Sequence, residues 1–197
     1  MVRNLKPVVM LIIAALALYG LQQSTPGYSE ITSPVTIHGK AGTRVEGRDF
    51  AVGIANVHLA RTVKTESFGR VRDYTTSGVW VLIEGAAVAN RQSLTLTSAE
   101  WLGSSGIRYA ISERFSTLPG YLITERLEPG LPKPVLLAFE VPQSELRGGT
   151  LLLARSDLMP LGEELRISID DERPTNSHST VMLARNQDGL AWTLTAE

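Results

Sequence analysis

The sequence predicts an all-β fold, an antiparallel β-sandwich, with one apolar segment in front of it. The first observation is a long apolar run, residues 78–90, in the middle of the chain. The second is the composition of the 197 residues, in which 17 glycines and 10 prolines separate short runs rich in valine, isoleucine and threonine. Such a mixture is typical of strands joined by turns. The third is the number of these runs, about nine, with a turn signal every ~8–12 residues.

The run 78–90 predicts a central strand that is covered on both faces. Its residues alternate between two sets, and both are apolar: Val79, Val81, Ile83, Ala87 and Ala89 in one, Trp80, Leu82, Ala86 and Val88 in the other. Gly78 and Asn90 bound the run, and Glu84 is its only charge. A half-buried strand would alternate apolar with polar residues, whereas a strand buried on both faces is apolar throughout. We therefore expect the other strands to pair with this one or to pack over it.

Residues 1–23 predict a signal anchor, a single transmembrane helix. The 15 residues from Pro7 to Leu21 carry no charge. Arg3 and Lys6 precede them, and the next basic residue is Lys40. Because basic flanks stay in the cytoplasm, this asymmetry predicts a single-pass protein of the cell membrane, with its N-terminus in the cytoplasm and its domain outside. Residues 5–23 would contact the lipid bilayer.

The length of the apolar stretch leaves other interpretations open. A membrane span needs roughly 20 residues, and the apolar region of a cleaved signal peptide has roughly 7–15. Ala15 and Ala17 are small enough for a cleavage site, but a cut there would leave too short an apolar region. A cleaved signal and a buried core helix are the alternatives to the anchor.

The remaining sequence divides into a linker, a domain and an extension. Residues 24–41 are polar and rich in Pro, Ser and Thr, which predicts a tether. Residues 42–170 predict the sandwich. Residues 171–197 predict a polar loop and a terminal hairpin that turns at Asp188-Gly189, with Trp192 as its anchor to the core.

Alternating apolar residues place the strands of the domain. The parity of the apolar residues changes between Ile54 and Val57, which predicts a β-bulge near Ala55. A glycine turn at residues 103–106 predicts a hairpin. The predicted strands cover residues 42–47, 50–62, 93–98, 107–112, 135–141, 151–155 and 164–170, besides the central run.

The segment 61–77 is densely charged and carries the candidate binding residues. It predicts an exposed hairpin tip or a mobile binding loop, because recognition residues favour loops of this kind. The candidates are Arg70, Arg72, Asp73 and Tyr74.

A series of short motifs occurs in a characteristic order between residues 43 and 155. They are Gly47-Arg-Asp-Phe-Ala-Val52, the apolar strand ending in Asn90, Leu94-Thr-Leu96, Gly106-Ile-Arg-Tyr109, Leu127-Glu-Pro-Gly130 and Leu137-Ala-Phe-Glu-Val-Pro142. This order resembles the bacterial extracytoplasmic immunoglobulin-like family of unknown function, whose fold is similar to that of a small secreted mycobacterial immunogenic protein. The resemblance implies an immunoglobulin-like antiparallel β-sandwich behind a signal anchor or lipid anchor, and it carries no activity. Ala86-Ala87 departs from the family pattern, and so does the extension beyond the last family strand.

The composition argues against several functions. The absence of cysteine removes disulfides, thiol catalysis and a lipid-modified cysteine. A net charge of −1 gives no basic footprint for nucleic acid. Asp170, Asp171 and Glu172, with His178 nearby, match no calcium loop and predict a solvated turn. His38, His58 and His178 are too scattered to be recognised as a ligand set, so we predict no catalytic residue, no metal and no cofactor.

The function expected from these features is a non-catalytic, membrane-anchored module that binds another protein of the cell envelope. The alternative is a sandwich that binds a carbohydrate or another small ligand, which an exposed pair among Trp80, Trp101 and Tyr121 would favour. An enzyme would require a histidine, a carboxylate and a serine within hydrogen-bond reach in one cleft.

Overall fold

A computed structural model describes residues 5–24, 34–67, 70–156, 162–169, 176–185 and 192–196. Within these ranges it contains one α-helix and eleven strands. The elements are α1 (Leu5–Ser24), β1 (Val35–Lys40), β2 (Arg44–Glu46), β3 (Phe50–Ser67), β4 (Arg70–Ala89), β5 (Ser98–Leu102), β6 (Arg108–Ala110), β7 (Lys133–Val141), β8 (Thr150–Ala154), β9 (Glu163–Ser168), β10 (Asn176–Arg185) and β11 (Trp192–Ala196). The chain divides into two units, residues 1–33 and residues 34–197.

The first unit contains α1, a helix of 20 residues. Its side chains are exposed from Pro7 to Gln23, including the large apolar ones between Val8 and Leu21. In the part of the chain that the structure covers, no helix combines the length and the apolar character that crossing a membrane requires.

The second unit is a β-sandwich of two sheets. Sheet A has the strand order β1-β9-β8-β5-β6, and sheet B has the order β11-β10-β3-β4-β7, with β2 paired to β3. Trp101 of sheet A and Phe139 of sheet B meet between the layers, with ring centroids 6.4 Å apart. The predicted β-sandwich is therefore confirmed.

The expectation of purely antiparallel strands is wrong at two places. β1 runs parallel to β9, and β10 runs parallel to β3. Antiparallel neighbours can be joined by short hairpins, whereas these two pairs join strands that are far apart in the sequence. β1 also lies within residues 24–41, so the predicted linker contains a strand of the sandwich. Residues 25–33 of that linker lie outside the described structure.

The predicted central strand is confirmed at β4. Trp80, Val81, Leu82 and Ile83 have no solvent exposure, because sheet A covers one face of β4 and residues 111–131, the covering segment, lie over the other. The ring of Phe115 in the covering segment meets the edge of Trp80, with centroids 5.1 Å apart. The Tyr121 hydroxyl donates to Ser112 O at 2.5 Å and lies 3.3 Å from Ala138 O on β7. Burial raises the pKa of that phenol above its ordinary value.

The β3–β4 hairpin is longer than the sequence predicts. The expected bulge occurs between Ile54 and Asn56, and a second register shift lies between Ala60 and Thr62. The segment 61–77, predicted as a tip or loop, is largely paired strand, because β3 continues to Ser67 and β4 begins at Arg70. Val63 and Thr65 alternate on the buried side of this extension, and its charged residues occupy positions between and beside them.

Two other boundaries differ from the expectation. Residues 93–98 form no strand before Ser98 and contribute one bridge, from Leu94 to Leu127. The strand in this region is β5, which begins at Ser98. In β5, the Trp101 indole donates to Glu145 O at 3.0 Å. In the region of the predicted terminal hairpin, β10 and β11 form an antiparallel pair that joins sheet B. Its turn at Asp188-Gly189 and the side chain of Trp192 lie outside the described structure.

Packing around Trp101 generates a test of the sandwich core. A Cβ atom at Gly149 would overlap the Trp101 ring, whereas one at Gly53 on β3 would meet nothing within 4 Å. We expect Gly149→Ala to lower the free energy of unfolding by about 2 kcal/mol or more, because overpacking displaces a buried ring. We expect Gly53→Ala to change it by less than about 1 kcal/mol. Urea denaturation of both variants measures the difference, and equal stabilities would contradict the packing described.

Candidate functional site

The outer face of sheet A carries a group of polar and charged side chains. Residues opposite each other in a ladder share a face, so the register places two rows of side chains there. One row contains Lys40, Ser168, Thr150, Leu102 and Arg108, and the next contains His38, Arg166, Leu152 and Glu100. The intervening residues of β8 and β9, such as Leu151, Leu165 and Ile167, point into the core and are fully buried.

A cleft of about 420 Å³ opens on this face, and we call it the sheet A cleft. Its lining consists of His38, Gly39, Lys40, Leu102, Thr150, Arg166 and Ser168. Four strands contribute to the lining, because β1, β9, β8 and β5 are neighbours in the sheet. The cleft therefore combines three nitrogen-bearing side chains, two hydroxyl groups and one apolar wall.

Two carboxylates beside the cleft are engaged by arginines. Arg166 Nε donates to Glu164 Oε1 at 2.7 Å, and Arg108 Nη1 lies 2.9 Å from Glu100 Oε2 and 3.4 Å from Glu164 Oε2. The Glu164 side chain is only 8% exposed. Partial burial alone would lower the pKa of Arg108, but the hydrogen bond that Arg108 donates to Glu100 and the charges of both glutamates outweigh it and raise the pKa.

The cleft has a surplus of donors. No described residue forms an ion pair or hydrogen bond with the Lys40 ammonium, the His38 ring or the Thr150 hydroxyl. Arg166 uses Nε for Glu164, which leaves its two terminal nitrogen groups. Ser168 Oγ donates to Gly39 O at 3.2 Å, so it can only accept a further bond. The arrangement is chemically suited to hold a negatively charged group.

A second polar cluster lies on the outer face of sheet B. His58 Nε2 and Asn56 Nδ2 approach Glu84 Oε2 at 3.2 Å and 3.1 Å. The His178 ring stacks on His58 with centroids 6.4 Å apart, because β10 lies beside β3. Nothing in the sequence indicates this proximity, since the two histidines meet through a parallel pairing of distant strands. Among the described residues, no three His, Cys, Asp or Glu side chains are placed to hold a metal ion, and Asp170, Asp171 and Glu172 lie outside that description.

The predicted binding residues lie on the distal half of β4, where Arg72 and Tyr74 share one face of the strand and Asp73 lies on the other. Arg72 and Asp73 are exposed and stand opposite Thr65 and Lys64, so their side chains leave opposite faces of the sheet. Tyr74 is half-buried, and its ring packs 4.7 Å from that of Phe115. Arg70 pairs through its backbone with Ser67, and its side chain lies outside the described structure. A binding role for these four residues stays a prediction.

Trp80, Trp101 and Tyr121 offer no platform for stacking on a sugar. Trp80 and Tyr121 have no exposed surface, and Trp101 is 2% exposed. Trp80 is held further by the Arg114 guanidinium, which lies 5.3 Å from its ring centroid. These rings form part of the core. A small ligand is favoured instead by the sheet A cleft.

Comparisons with known proteins indicate the fold and give no function. No protein-family model matches the chain, and no curated protein matches it. The yjhA protein from Bacillus subtilis is similar in structure, with a TM-score of 0.51 and 12% sequence identity over 67% of this chain and 99% of that chain. An uncharacterized β-sandwich protein from Clostridium difficile 630 matches with a TM-score of 0.44 and 17% identity over 69% of this chain and 95% of that chain. The chain is thus a β-sandwich similar to structures of this class.

The buried carboxylate beside the cleft generates a prediction about stability. Glu164→Gln removes the charge that two arginines share, and we expect it to lower the free energy of unfolding by about 1–3 kcal/mol. The matched variant is Glu100→Gln. Among the described residues Glu100 forms an ion pair with Arg108, and its side chain is 26% exposed. We therefore expect this variant to lower the free energy of unfolding by less than about 1 kcal/mol. Chemical denaturation at neutral pH measures both losses. A larger loss for Glu100→Gln would contradict the assignment of Glu164 as the centre of this network.

Proposed function

We propose that the protein is an exported, non-catalytic binding module whose contact surface is the outer face of sheet A. The observation that carries the proposal is the difference between the two sheets. The covering segment contacts the outer face of sheet B at β4 and β7, whereas polar and charged side chains of sheet A line its own outer face and the cleft there. Arg108 and Arg166 on that face remain 46% and 31% exposed. Arginines on an otherwise well-packed surface are typical of protein interfaces, so the proposed partner is another protein of the cell envelope.

The proposed location is the outer side of the cytoplasmic membrane. It is supported by the basic residues Arg3 and Lys6 in front of an apolar stretch that has no basic residue after it before Lys40. A helix that is apolar on every side needs an apolar environment, and the α1 side chains are exposed. In this proposal α1 directs export and contacts lipid. Membership of the extracytoplasmic immunoglobulin-like family is likewise proposed, and the order of motifs from Gly47 to Pro142 supports it.

Binding rather than catalysis is favoured by the chemistry of the sheet A cleft. A serine nucleophile must donate its proton to a base, whereas Ser168 donates to a backbone carbonyl. His38 stands opposite Arg166 in the ladder and not opposite a hydroxyl group. The nearest carboxylate, Glu164, is held by two arginines. The polar side chains of the cleft are therefore arranged to donate hydrogen bonds to a ligand and not to activate a nucleophile.

The binding of a small ligand is the second candidate function. It is favoured by the sheet A cleft itself, because a protein partner contacts a face as a whole and does not require a recess of this kind.

Fractionation of cells tests the role of α1. We expect the full chain to sediment with membranes and to resist extraction by alkaline carbonate, since ~15 buried apolar residues give a large transfer free energy. Substituting Leu11 and Ile12 by Asp should release the protein or prevent its export. Recovery of the intact, unsubstituted chain in the soluble fraction would contradict the proposed lipid contact.

Site-specific photo-crosslinking in intact cells tests the contact surface. A photoreactive residue in place of Thr36, on the outer face of sheet A, should give a discrete cross-linked protein. The control position is Thr117, which is exposed on the covering segment. The same product from both positions, or none from Thr36, would contradict the assignment of the partner surface to sheet A.

A further inference from the structure

We propose that the sheet A cleft binds a phosphate group, as a phosphate ester or as free phosphate. This proposal develops the second candidate function, the binding of a small ligand, and rests on it. It names the chemical class of the ligand, which neither the fold nor the similar structures indicate.

The charges of the cleft favour an anion. Arg166 and Arg108 balance the carboxylates of Glu164 and Glu100, so Lys40 carries the charge that no described carboxylate pairs with. An anion entering the cleft therefore meets one unpaired cation, the terminal nitrogen groups of Arg166 and no carboxylate among the described lining residues. A phosphate monoester can pair its charge with Lys40 and still offer oxygens to the donors of Arg166.

The directions of the donors also favour a tetrahedral group over a planar one. Lys40 and His38 extend from the edge strand β1, Arg166 from β9 and Thr150 from β8, so donors approach from three neighbouring strands. A carboxylate has two oxygens in one plane, and a phosphate presents three or four oxygens in different directions. Arginine and lysine together are characteristic of phosphate recognition, the arginine as a fork and the lysine as a point charge.

The rest of the lining indicates what the phosphate is attached to. Leu102 is half-buried and forms the wall that faces β1 across Thr150 and Ser168. The cleft is open and has a volume of about 420 Å³, which is more than a phosphate group occupies. A phosphate ester with a small apolar or neutral portion fits this geometry, and that portion would lie against Leu102.

Titration of the full chain with inorganic phosphate tests this proposal. The protein is placed in nanodiscs of phosphatidylcholine, which supply lipid for α1, and binding is followed by the ³¹P line width of the phosphate. We expect saturable binding, and we expect acetate to bind at least about tenfold more weakly, because it lacks one charge and two oxygens.

Matched variants locate the site. Lys40→Gln should weaken phosphate binding about tenfold, the effect of losing one charge-assisted contact. Arg91→Gln makes the same change of charge in the loop after β4, outside the lining, and should alter binding less than about twofold. Thr150→Val, which keeps the shape of the side chain, should weaken binding about threefold or more. Circular dichroism and thermal unfolding establish that each variant is folded.

Nanodiscs that contain phosphatidic acid distinguish the source of the phosphate. If lipid headgroups occupy the cleft, added phosphate will bind more weakly in these discs than in phosphatidylcholine discs. If the ligand is soluble, binding will be the same in both. Either result supports a phosphate site, provided that Lys40→Gln weakens the binding about tenfold.

Any one of three results would overturn the proposal. The first is the absence of saturable phosphate binding together with the absence of competition from phosphatidic acid. The second is an equal loss of phosphate affinity for Lys40→Gln and Arg91→Gln, and the third is an equal affinity for acetate and phosphate. None of these results affects the cross-linking at Thr36, so a failed phosphate site and a failed protein-binding surface can be told apart.

Discussion

The burial of five consecutive residues, Val79–Ile83, four of which have no solvent exposure, is the constraint on which the rest of the structure depends. An extended chain sends alternate side chains to opposite faces, so burying every residue requires a layer on each side of β4. Sheet A supplies one layer and the covering segment supplies the other. Neighbours on both edges are also required, and β3 and β7 satisfy the backbone groups of this stretch through their ladders.

This constraint makes the two outer faces of the sandwich unequal. The covering segment is committed to sheet B by the aromatic contacts of Phe115 and by the bonds from Tyr121. Side chains of sheet A itself line the outer face of that sheet. Paired arginines and glutamates occupy this face, and Leu152 among them is only 2% exposed. A polar, well-packed and open face is a suitable place for recognition, whereas the other face is devoted to stability.

The central strand could be predicted because its signal is local. Each residue from Val79 to Ile83 is apolar, and a short apolar run rich in β-branched residues is typical of a strand buried on both faces. The bulge near Ala55 was predictable for the same reason, since a change of parity is visible in the sequence. The extension of β3 and β4 was missed because charged residues indicate exposure, and an exposed residue is compatible with both a loop and one side of a strand.

The sheet A cleft could not be predicted, because it depends on pairing between distant segments. Ser168 and Gly39 are 129 residues apart in sequence and lie on neighbouring strands, where Ser168 stands opposite Lys40. Lys40 and Arg166 each occupy a polar position in an alternating pattern. This local pattern predicts that each side chain lies on an outer face, but it does not indicate which strand pairs with which. The proximity of His58 to His178 escaped prediction in the same way. Topology, and not composition, brings these side chains together.

Amide hydrogen exchange along β4 is the most direct test of the central claim. If layers cover both faces of the strand, the amides of residues 79–83 will be among the slowest in the protein and will exchange only through global unfolding. The amides of residues 71–75, in the exposed half of the same strand, will exchange much faster. Exchange of residues 79–83 at the rate of residues 71–75 would contradict the architecture described here.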